Sequence, residues 1–382
     1  MRSVVILLIA LVLLASACQP QPDYPPNPLS TDLSRTPFPI SPTPSDTQTS
    51  TPTATPTGTP VATPVPHTAT PTPLPRTTLL FTGVIVPARC VQAAIDAREN
   101  PDYPYEEVRG VISQADLAIG TLNATISDYP PRTGCVSTYV LVGGAENADA
   151  LQRAGFDAMS VATNHIKNCG LTNCGDRAFF DTLENLRRVG IQPVGAGEDH
   201  AAAMQPLILE INGVKFGIVS QGQIERKAFA GETTPGIAVL DETNLRSAIA
   251  AAREMADVVV AMPHWGPEDV PMPNPSQRQL ARVAVEAGAD LVVGNHTHVV
   301  QAIQEIEGVP VFYGLGNFVF DQDVDSEHMQ GAILLVTFEG ERLVGYELIP
   351  THVDPDGRVH LADAKEAAEI LERIEQVSQQ LP

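Results

Sequence analysis

The chain has 382 residues, a formal net charge of −22 and a sequence pI near 4.6. Only 23 residues are Lys or Arg, and no basic run is present, so the composition excludes nucleic acid as a partner, because nucleic acid needs a basic face. Aromatic residues make up 5% of the chain, which leaves no obvious stacking platform for bases or sugars.

The first 17 residues have the layout of a secretory signal. An early Arg precedes a continuous apolar run that is too short for a spanning helix, and small residues follow it. The ending Leu14-Ala15-Ser16-Ala17-Cys18 resembles a bacterial lipobox. We therefore predict a lipoprotein signal peptide over residues 1–17 and lipidation of Cys18, which would hold an exported protein on the membrane at the cell surface. Ordinary signal cleavage and an uncleaved anchor are the alternatives.

Residues 18–77 predict a disordered stalk that begins at the lipid-anchor Cys18. Pro, Thr and Ser dominate this stretch, a composition that buries too little apolar surface to fold and favours extended polyproline II. The folded domain is expected over residues 78–382, with its core at about 79–350 and a terminal helix at about 363–379.

From Thr78 onward, apolar β-rich runs alternate with helical patterns, which is typical of a single α/β domain with a mixed sheet or two sheets. Asp176 and Asp363 are plausible helix N-caps, and Asn212-Gly213 is a strong hairpin signal. The predicted strands are 79–86, 117–119, 158–161, 191–194, 206–211, 214–220, 258–262, 291–293, a pair after the last of these, 332–338 and 342–349. The predicted helices are 106–114, 146–154, 176–189, 242–255, 277–287 and 363–379.

Polar turns that carry histidines follow three of the predicted strands. Asn164-His165, His264 and His296-Thr297-His298 each come just after a strand's carboxyl end, where function gathers in α/β folds. Residues two apart in extended backbone point to the same side, so the imidazoles of His296 and His298 are expected to converge.

A lone His after a strand is usually a turn or capping residue, but the joint pattern predicts one site that can bind a metal. Trp265 is expected to pack beside the turn, and Asn317 is expected to be a turn residue rather than a ligand.

With Cys18 used for lipidation, Cys90, Cys135, Cys169 and Cys174 remain, an even number in an exported protein. Cys169 with Cys174 would close a small loop and Cys90 with Cys135 would form the second bridge. Three pairings are open, and a zinc knuckle is the rival interpretation.

Five sequence blocks in order carry a resemblance to the CapA family of capsule-synthesis proteins, which are associated with poly-γ-glutamate. They are GFDAMSVATNHIKNCG, GIQPVGAGEDHAAAMQPLILEINGVKFGIV, ADVVVAMPHWGPE, GADLVVGNHTHVVQAI and PVFYGLGNFVFDQ. That family is similar to the calcineurin-like metallophosphatases, which implies a layered α/β/β/α sandwich of mixed sheets. The resemblance also implies that Asn164, His264, His296 and His298 are metal ligands and that His165 is the proton donor.

Four positions depart from the family pattern. Val84 stands where the first Asp ligand is expected, and Asn123 replaces the second Glu ligand. Thr163 replaces the first Asn of the family's Asn-Asn-His, and Asn168 replaces the Asp that follows it. A two-metal site depends on carboxylates that offset the charge of the cations, so its usual form is not expected here. One divalent cation, Zn or Mn, held by the three histidines is consistent with the remaining residues, as is complete loss of metal. No other carboxylate is expected in these turns, and Asp128 and Asp321 are the nearest candidates.

Three functions remain open, so the sequence leaves enzymatic activity undecided. The resemblance implies a cell-surface protein that helps to make or export an anionic envelope polymer, with that polymer or capsule-synthesis proteins as partners. A metal-dependent phosphoesterase is the second hypothesis. A non-catalytic binding module on a stalk is the third, and Val84 and Asn123 favour it.

Overall fold

The structure, a computed structural model, describes residues 74–169 and 174–381. The predicted signal peptide, the predicted lipidation site Cys18 and nearly all of the predicted stalk lie outside these ranges. The described residues form one compact unit.

The described strands, in chain order, are β1 (Arg76–Ile85), β2 (Leu117–Leu122), β3 (Thr125–Ile126), β4 (Val142–Gly143), β5 (Ala158–Ser160), β6 (Gln192–Val194), β7 (Ala196–Gly197), β8 (Leu207–Ile211), β9 (Val214–Gly222), β10 (Gly236–Ile237), β11 (Val258–His264), β12 (Leu291–Val293), β13 (Ile303–Ile306), β14 (Val309–Phe312), β15 (Asn317–Val319), β16 (Gln330–Glu339), β17 (Arg342–Val353) and β18 (Val359–Leu361).

The described helices are α1 (Arg89–Arg98), α2 (Arg109–Ile112), α3 (Glu146–Ala154), α4 (Arg177–Arg188), α5 (His200–Ala203), α6 (Glu242–Arg253), α7 (Pro275–Glu286) and α8 (Ala364–Ser378). Single 3-10 turns occur at Tyr103–Tyr105 and Arg226–Ala228.

Two mixed sheets form the centre of the fold. The first has the order β18-β17-β16-β1-β2-β5-β6, with β15 also paired to β1, and the second has the order β13-β14-β12-β11-β9-β8. In the first sheet β1, β2, β5 and β6 run parallel, and β16, β17 and β18 are added to them in antiparallel order. In the second sheet β9, β11, β12 and β14 run parallel, and β8 and β13 are antiparallel edge strands.

The two sheets pack face to face, and helices cover both outer faces. Phe81 and Ile119 of the first sheet share one apolar cluster with Phe216 and Val260 of the second. Side chains of α1, α3 and α4 pack on the outer face of the first sheet, and those of α6 and α7 pack on the outer face of the second. The predicted α/β/β/α sandwich of mixed sheets is therefore confirmed.

Most predicted elements are present with shifted ends, and some short ones were not predicted. Strand β1 begins at Arg76, two residues before the predicted start of the domain. Within the predicted helix over 106–114, only the four-residue α2 is helical, and a 3-10 turn at Tyr103–Tyr105 precedes it. Helices α1 and α5 and the short strands β3, β4, β7, β10, β15 and β18 were missed.

The predicted caps had different outcomes. Asp363 caps α8, because its side chain accepts hydrogen bonds from the backbone N–H groups of Lys365 and Glu366. The prediction for Asp176 is wrong: its side chain makes no capping hydrogen bond and instead pairs with Lys167 at 2.7 Å. The hairpin between β8 and β9 turns at Asn212-Gly213 as predicted, and both residues have the positive φ that this tight turn requires.

Both expected cysteine pairs are disulfides in the structure. Cys90 is bonded to Cys135 and Cys169 is bonded to Cys174, so the zinc-knuckle interpretation does not hold. Among the helices of the described ranges, none is long and apolar enough to cross a bilayer.

The parallel strands of the two sheets end at the same side of the molecule. Asn295, just after β12, donates a hydrogen bond from Nδ2 to Thr121 Oγ1 of β2 at 2.7 Å and lies 3.3 Å from the backbone oxygen of Thr82 on β1. This contact joins the ends of the two sheets and places the histidine-bearing turns between them.

Candidate metal centre

His264 and His296 form the centre of a buried polar cluster. His264 is the last residue of β11 and His296 follows β12, and these strands pair in parallel. The Nε2 atom of His264 lies 3.2 Å from His296 Nδ1 and 2.9 Å from Asn164 Oδ1. Three predicted ligands therefore meet at one point.

The convergence of His296 and His298 has a different cause from the one expected. Their backbone is not extended: φ is +107° at His296 and +60° at His298, in the left-handed region that non-glycine residues seldom adopt. The turn conformation, rather than the two-residue alternation of side chains in extended backbone, orients the two rings, whose centroids lie 6.0 Å apart. Such conformations cost about 1–3 kcal/mol each, and they gather at functional sites.

His298 is oriented by Asn317. The two side chains are joined by a 2.8 Å hydrogen bond between His298 Nδ1 and Asn317 Oδ1. Asn317 Nδ2 donates to the backbone oxygen of His328, which fixes Oδ1 as the acceptor and His298 Nδ1 as the donor. Nε2 of His298 is therefore the atom free to bind a ligand. Asn317, predicted to be a turn residue, is the first residue of strand β15, and it positions His298.

Glu268 is a carboxylate that sequence reasoning missed. One oxygen lies 3.8 Å from His296 Nε2, and ligand atoms of Glu268, His296 and His298 all lie within 4.8 Å of one another. The expectation that no carboxylate reaches these turns is therefore wrong. Gly266, with φ of +86°, reverses the chain after Trp265 and returns Glu268 towards the histidines. This glycine was the available signal.

The two nearest carboxylates expected from spacing have other partners. Asp321 pairs with Arg89 and accepts a hydrogen bond from the backbone N–H of Cys90. Asp128 lies away from the histidines and accepts from the backbone N–H of Ala145. Trp265 packs as predicted: it is fully buried, and its indole N–H donates to the backbone oxygen of Tyr313.

Burial keeps the histidines neutral. Burial, together with the neighbouring imidazoles, lowers the pKa of His296 to about 3. Burial lowers the pKa of His298 to about 4. The pKa of His264 lies well below its usual value for the same two reasons. Neutral imidazole is the form that binds a metal, so no proton has to be displaced near pH 7.

The donor set fits one divalent cation. Tetrahedral zinc binds imidazole nitrogen at about 2.0–2.1 Å, so two of its ligands lie roughly 3.3 Å apart. The separations of 3.2 Å and 2.9 Å around His264 Nε2 have this scale. His264, His296 and Asn164 would hold such an ion, with His298 and Glu268 beside it.

The residues at the two carboxylate positions of the family pattern, Val84 and Asn123, do not fit a second cation. Val84 pairs in register with Asn317 on β15 and with Thr121 on β2. Asn317 and Thr121 are hydrogen-bonded to His298 and Asn295, so Val84 lies next to the residues that hold the histidine-bearing turn. Its side chain is fully buried and has no donor atom. Asn123 is also fully buried, and its Oδ1 accepts from the backbone N–H of His165 at 3.1 Å. Neither residue supplies the negative charge that a second cation needs.

His165 has a fixed tautomer. Asn168 Oδ1 accepts from the backbone N–H of Leu141 at 2.7 Å, so the His165 Nδ1 atom 3.0 Å away must be the donor. Nε2 of the neutral ring then carries a lone pair. Burial lowers the pKa of His165, against the hydrogen bond to Asn168, which raises it. The proton-donor role stays a prediction, and it requires a protonated form that burial disfavours.

A cleft of about 600 Å³ opens beside this cluster, and His165, Glu268 and His298 line its floor. The segment from Cys135 to Tyr139 forms one wall, and Phe320 to Val324 forms the other. The cleft gives a ligand from solution access to three of the polar side chains.

Comparisons with known proteins gave matches to a protein family, to curated relatives and to solved structures. Residues 78–322 match the family described as bacterial capsule synthesis protein PGA_cap. The chain is 30% identical over 244 residues to the PGA biosynthesis protein CapA of Bacillus subtilis (strain 168), which covers 63% of each chain. It is 29% identical over 254 residues to the capsule biosynthesis protein CapA of Bacillus anthracis, covering 65% of this chain and 60% of that one. The chain thus spans less than two thirds of either relative.

Among solved structures, a phosphatase from Mycoplasma pneumoniae aligns with 72% of this chain and 94% of its own, at 13% identity and a TM-score of 0.45. A 5′-nucleotidase precursor from Thermus thermophilus aligns at 15% identity and a TM-score of 0.42, over 80% of this chain and 58% of its own.

Proposed function

Because the chain belongs to the PGA_cap family of bacterial capsule synthesis proteins, we propose that it helps to make or export an anionic envelope polymer such as poly-γ-glutamate. We further propose that the protein is exported and is anchored by a lipid on Cys18, with its cleft facing the polymer outside the cytoplasm. The names of the two CapA relatives support the polymer, and the sequence before Thr78 supports the anchor.

The observation that carries the proposal is the convergence of the neutral side chains of His264, His296 and Asn164 beside the cleft that His298 lines. A chain with a net charge of −22 repels a polyanion. The cleft does not reverse this repulsion, since Glu268, Asp321 and Asp323 line it against a single cationic side chain, Arg89. A divalent cation at His264, His296 and Asn164 would supply the positive charge that a carboxylate of the polymer needs.

The test measures zinc content and polymer binding on the full chain, purified in detergent. With zinc bound, poly-γ-glutamate should bind, and removal of zinc by a chelator should abolish binding. His296→Ala should lose both the zinc and the polymer. His200→Ala, a change on α5 outside the cleft, should lose neither. Polymer binding that persists without zinc, or no binding with zinc, would contradict the proposal.

The anchor has a separate test. Cys18→Ala should move the protein from the membrane fraction to the aqueous fraction and abolish incorporation of a radiolabelled fatty acid. A variant that stays in the membrane fraction would show that the signal itself is the anchor, which is the alternative left open by the sequence.

A second candidate is a metal-dependent hydrolase, favoured by the presence of His165 on the same cleft floor as His298 and Glu268. A bound cation would polarise a phosphate ester or an amide and activate water. His165 would exchange a proton with the ligand through Nε2. Zinc-dependent turnover of a chromogenic phosphate ester that is lost in His165→Ala would support this candidate, whereas polymer binding without turnover would favour the accessory role.

A further inference from the structure

The mouth of the cleft carries apolar side chains that the structure leaves uncovered. Tyr139 is 85% exposed, Val324 is 74% exposed and Val136 is 52% exposed, and all three line the cleft. We call these three residues the rim. Side chains of this size are more often buried, so a cluster of them around an opening marks a contact surface.

The wall that carries Val136 and Tyr139 is fixed to the body of the domain. Cys135 is bonded to Cys90 at the start of α1, and Arg89 Nη1 donates to the backbone oxygen of Thr138 at 2.9 Å. Arg89 is itself held by Asp321 on the opposite wall. The wall that carries Val136 and Tyr139 is therefore held in place before any ligand arrives, which reduces the entropy cost of binding.

The cleft offers no free cationic side chain to a polyanion. Arg89 is the one Lys or Arg among the described residues that line it, and Asp321 takes up its charge. Glu268 and Asp323 add negative charge to the lining. Among the described lining residues, ion pairs with the polymer are therefore left to a bound cation, and the exposed apolar side chains of the rim suit its uncharged parts.

We propose that the rim is a binding subsite for the uncharged backbone of the polymer. The ring of Tyr139 and the methyl groups of Val136 and Val324 cover methylene and amide groups of one repeat. A carboxylate of a neighbouring repeat enters the cleft and reaches the cation next to His298. The ligand class is thus a polymer with an apolar, amide-linked backbone and pendant carboxylates. This inference rests on the proposed function, which supplies the polymer and the cation.

The test is the affinity of the zinc-loaded full chain for poly-γ-glutamate. Tyr139→Ala should raise the Kd about tenfold, since exposed tyrosines at ordered contacts rank among the residues that contribute most to binding. Its zinc content and thermal stability should not change, because the side chain is almost wholly exposed. Tyr139→Phe keeps the ring and should stay within about twofold of the parent Kd.

Tyr129→Ala is the matched control. Tyr129 is a half-exposed tyrosine in the same loop between β3 and β4, but it packs under the Arg177 guanidinium outside the cleft. This variant should bind the polymer as the parent does. An equal loss in Tyr129→Ala and Tyr139→Ala would overturn the subsite, because it would indicate a general effect of the segment.

The outcomes separate the two proposals. Zinc-dependent binding that is unchanged in Tyr139→Ala overturns the subsite and leaves the proposed function intact. No zinc-dependent binding by the parent chain overturns both. Polyphosphate has no methylene or amide groups, so its zinc-dependent binding should be equal in parent and Tyr139→Ala, and a loss of polyphosphate affinity of about tenfold in Tyr139→Ala would overturn the subsite.

Discussion

His165 and Asn168 make a hydrogen bond whose direction is set by the backbone of Leu141. The amide of Asn168 accepts from both partners and carries no charge, so it fixes the ring without stabilising an imidazolium. A carboxylate in the same place would favour the charged ring.

We predict that Asn168→Asp raises the pKa of His165 by about 1–3 units, because an opposite charge at hydrogen-bond distance stabilises the protonated ring. The shift moves His165 towards the protonated form at neutral pH. Histidine ¹⁵N chemical shifts followed against pH measure it, with His200 as the internal reference. An unchanged His165 titration would show that the two side chains do not meet in solution.

Val84 stands where the family pattern has its first Asp ligand, so an Asp introduced there tests whether a carboxylate at this position can bind the cation. Val84→Asp should destabilise the zinc-free protein by roughly 3 kcal/mol or more, since it buries a carboxylate with no partner. Zinc should restore most of that stability if the new carboxylate faces the histidines. Chemical unfolding with and without zinc measures both effects. Val84→Asn is the matched control: it should be destabilised and should gain nothing from zinc beyond the parent's gain.

At the residue scale, the sequence could predict the histidines and could not predict Glu268. His264 and His296 directly follow apolar strands, and parallel strands bring their ends together whatever the loops do. Glu268 depends on the path of a loop after Gly266, and its approach to His296 is a tertiary contact with no periodic signal.

At the scale of elements, Asp102 connects three of them. Its carboxylate precedes the 3-10 turn at Tyr103–Tyr105 and accepts from Arg109 on α2 and from Arg153 on α3, at 2.9 Å and 2.8 Å. Burial opposes ionisation, but the hydrogen bonds and charges of the two arginines outweigh it and lower the pKa of Asp102.

A group whose pKa is lowered by folding stabilises the protein above its unfolded pKa and loses that contribution as the pH falls through its folded pKa. We therefore predict that Asp102→Asn lowers the free energy of unfolding by about 1 kcal/mol at pH 7, a value discounted because both arginines are partly exposed. The difference should shrink below pH 4. Urea unfolding of both proteins at pH 7 and pH 3 measures it, and a difference that persists at pH 3 would contradict the electrostatic origin.

The helices and strands that could be predicted are those with a clear hydrophobic periodicity or with a residue that marks an end, such as a glycine after a helix. Helix α3 has the bounds predicted for it, because an amphipathic stretch ends at Gly155, whose φ of +107° is easily adopted only by glycine. Helix α1 was missed because Ala88, its N-cap residue, makes no side-chain cap. Strands β3, β4, β7 and β10 have two residues each, too few to show alternation.

At the scale of the whole molecule, two disulfides cross-link parts of the fold in different ways. Cys90–Cys135 closes 45 residues of chain and joins α1 to the cleft wall, whereas Cys169–Cys174 closes only five residues. Both fit a protein that folds in an oxidising compartment, as the signal at the N terminus predicts.

Chain entropy predicts unequal contributions from these bonds. A cross-link stabilises the folded protein by restricting the unfolded chain. The dependence of this chain entropy on loop length gives about 4 kcal/mol for a loop of 45 residues and about 2 kcal/mol for a loop of five. The double variant Cys90→Ser/Cys135→Ser should therefore lose about twice the unfolding free energy of Cys169→Ser/Cys174→Ser. Denaturant unfolding without reductant measures both. Equal losses would indicate that native contacts, rather than the unfolded chain, determine the effect, and an unchanged stability in both variants would mean that the bonds do not form in the protein.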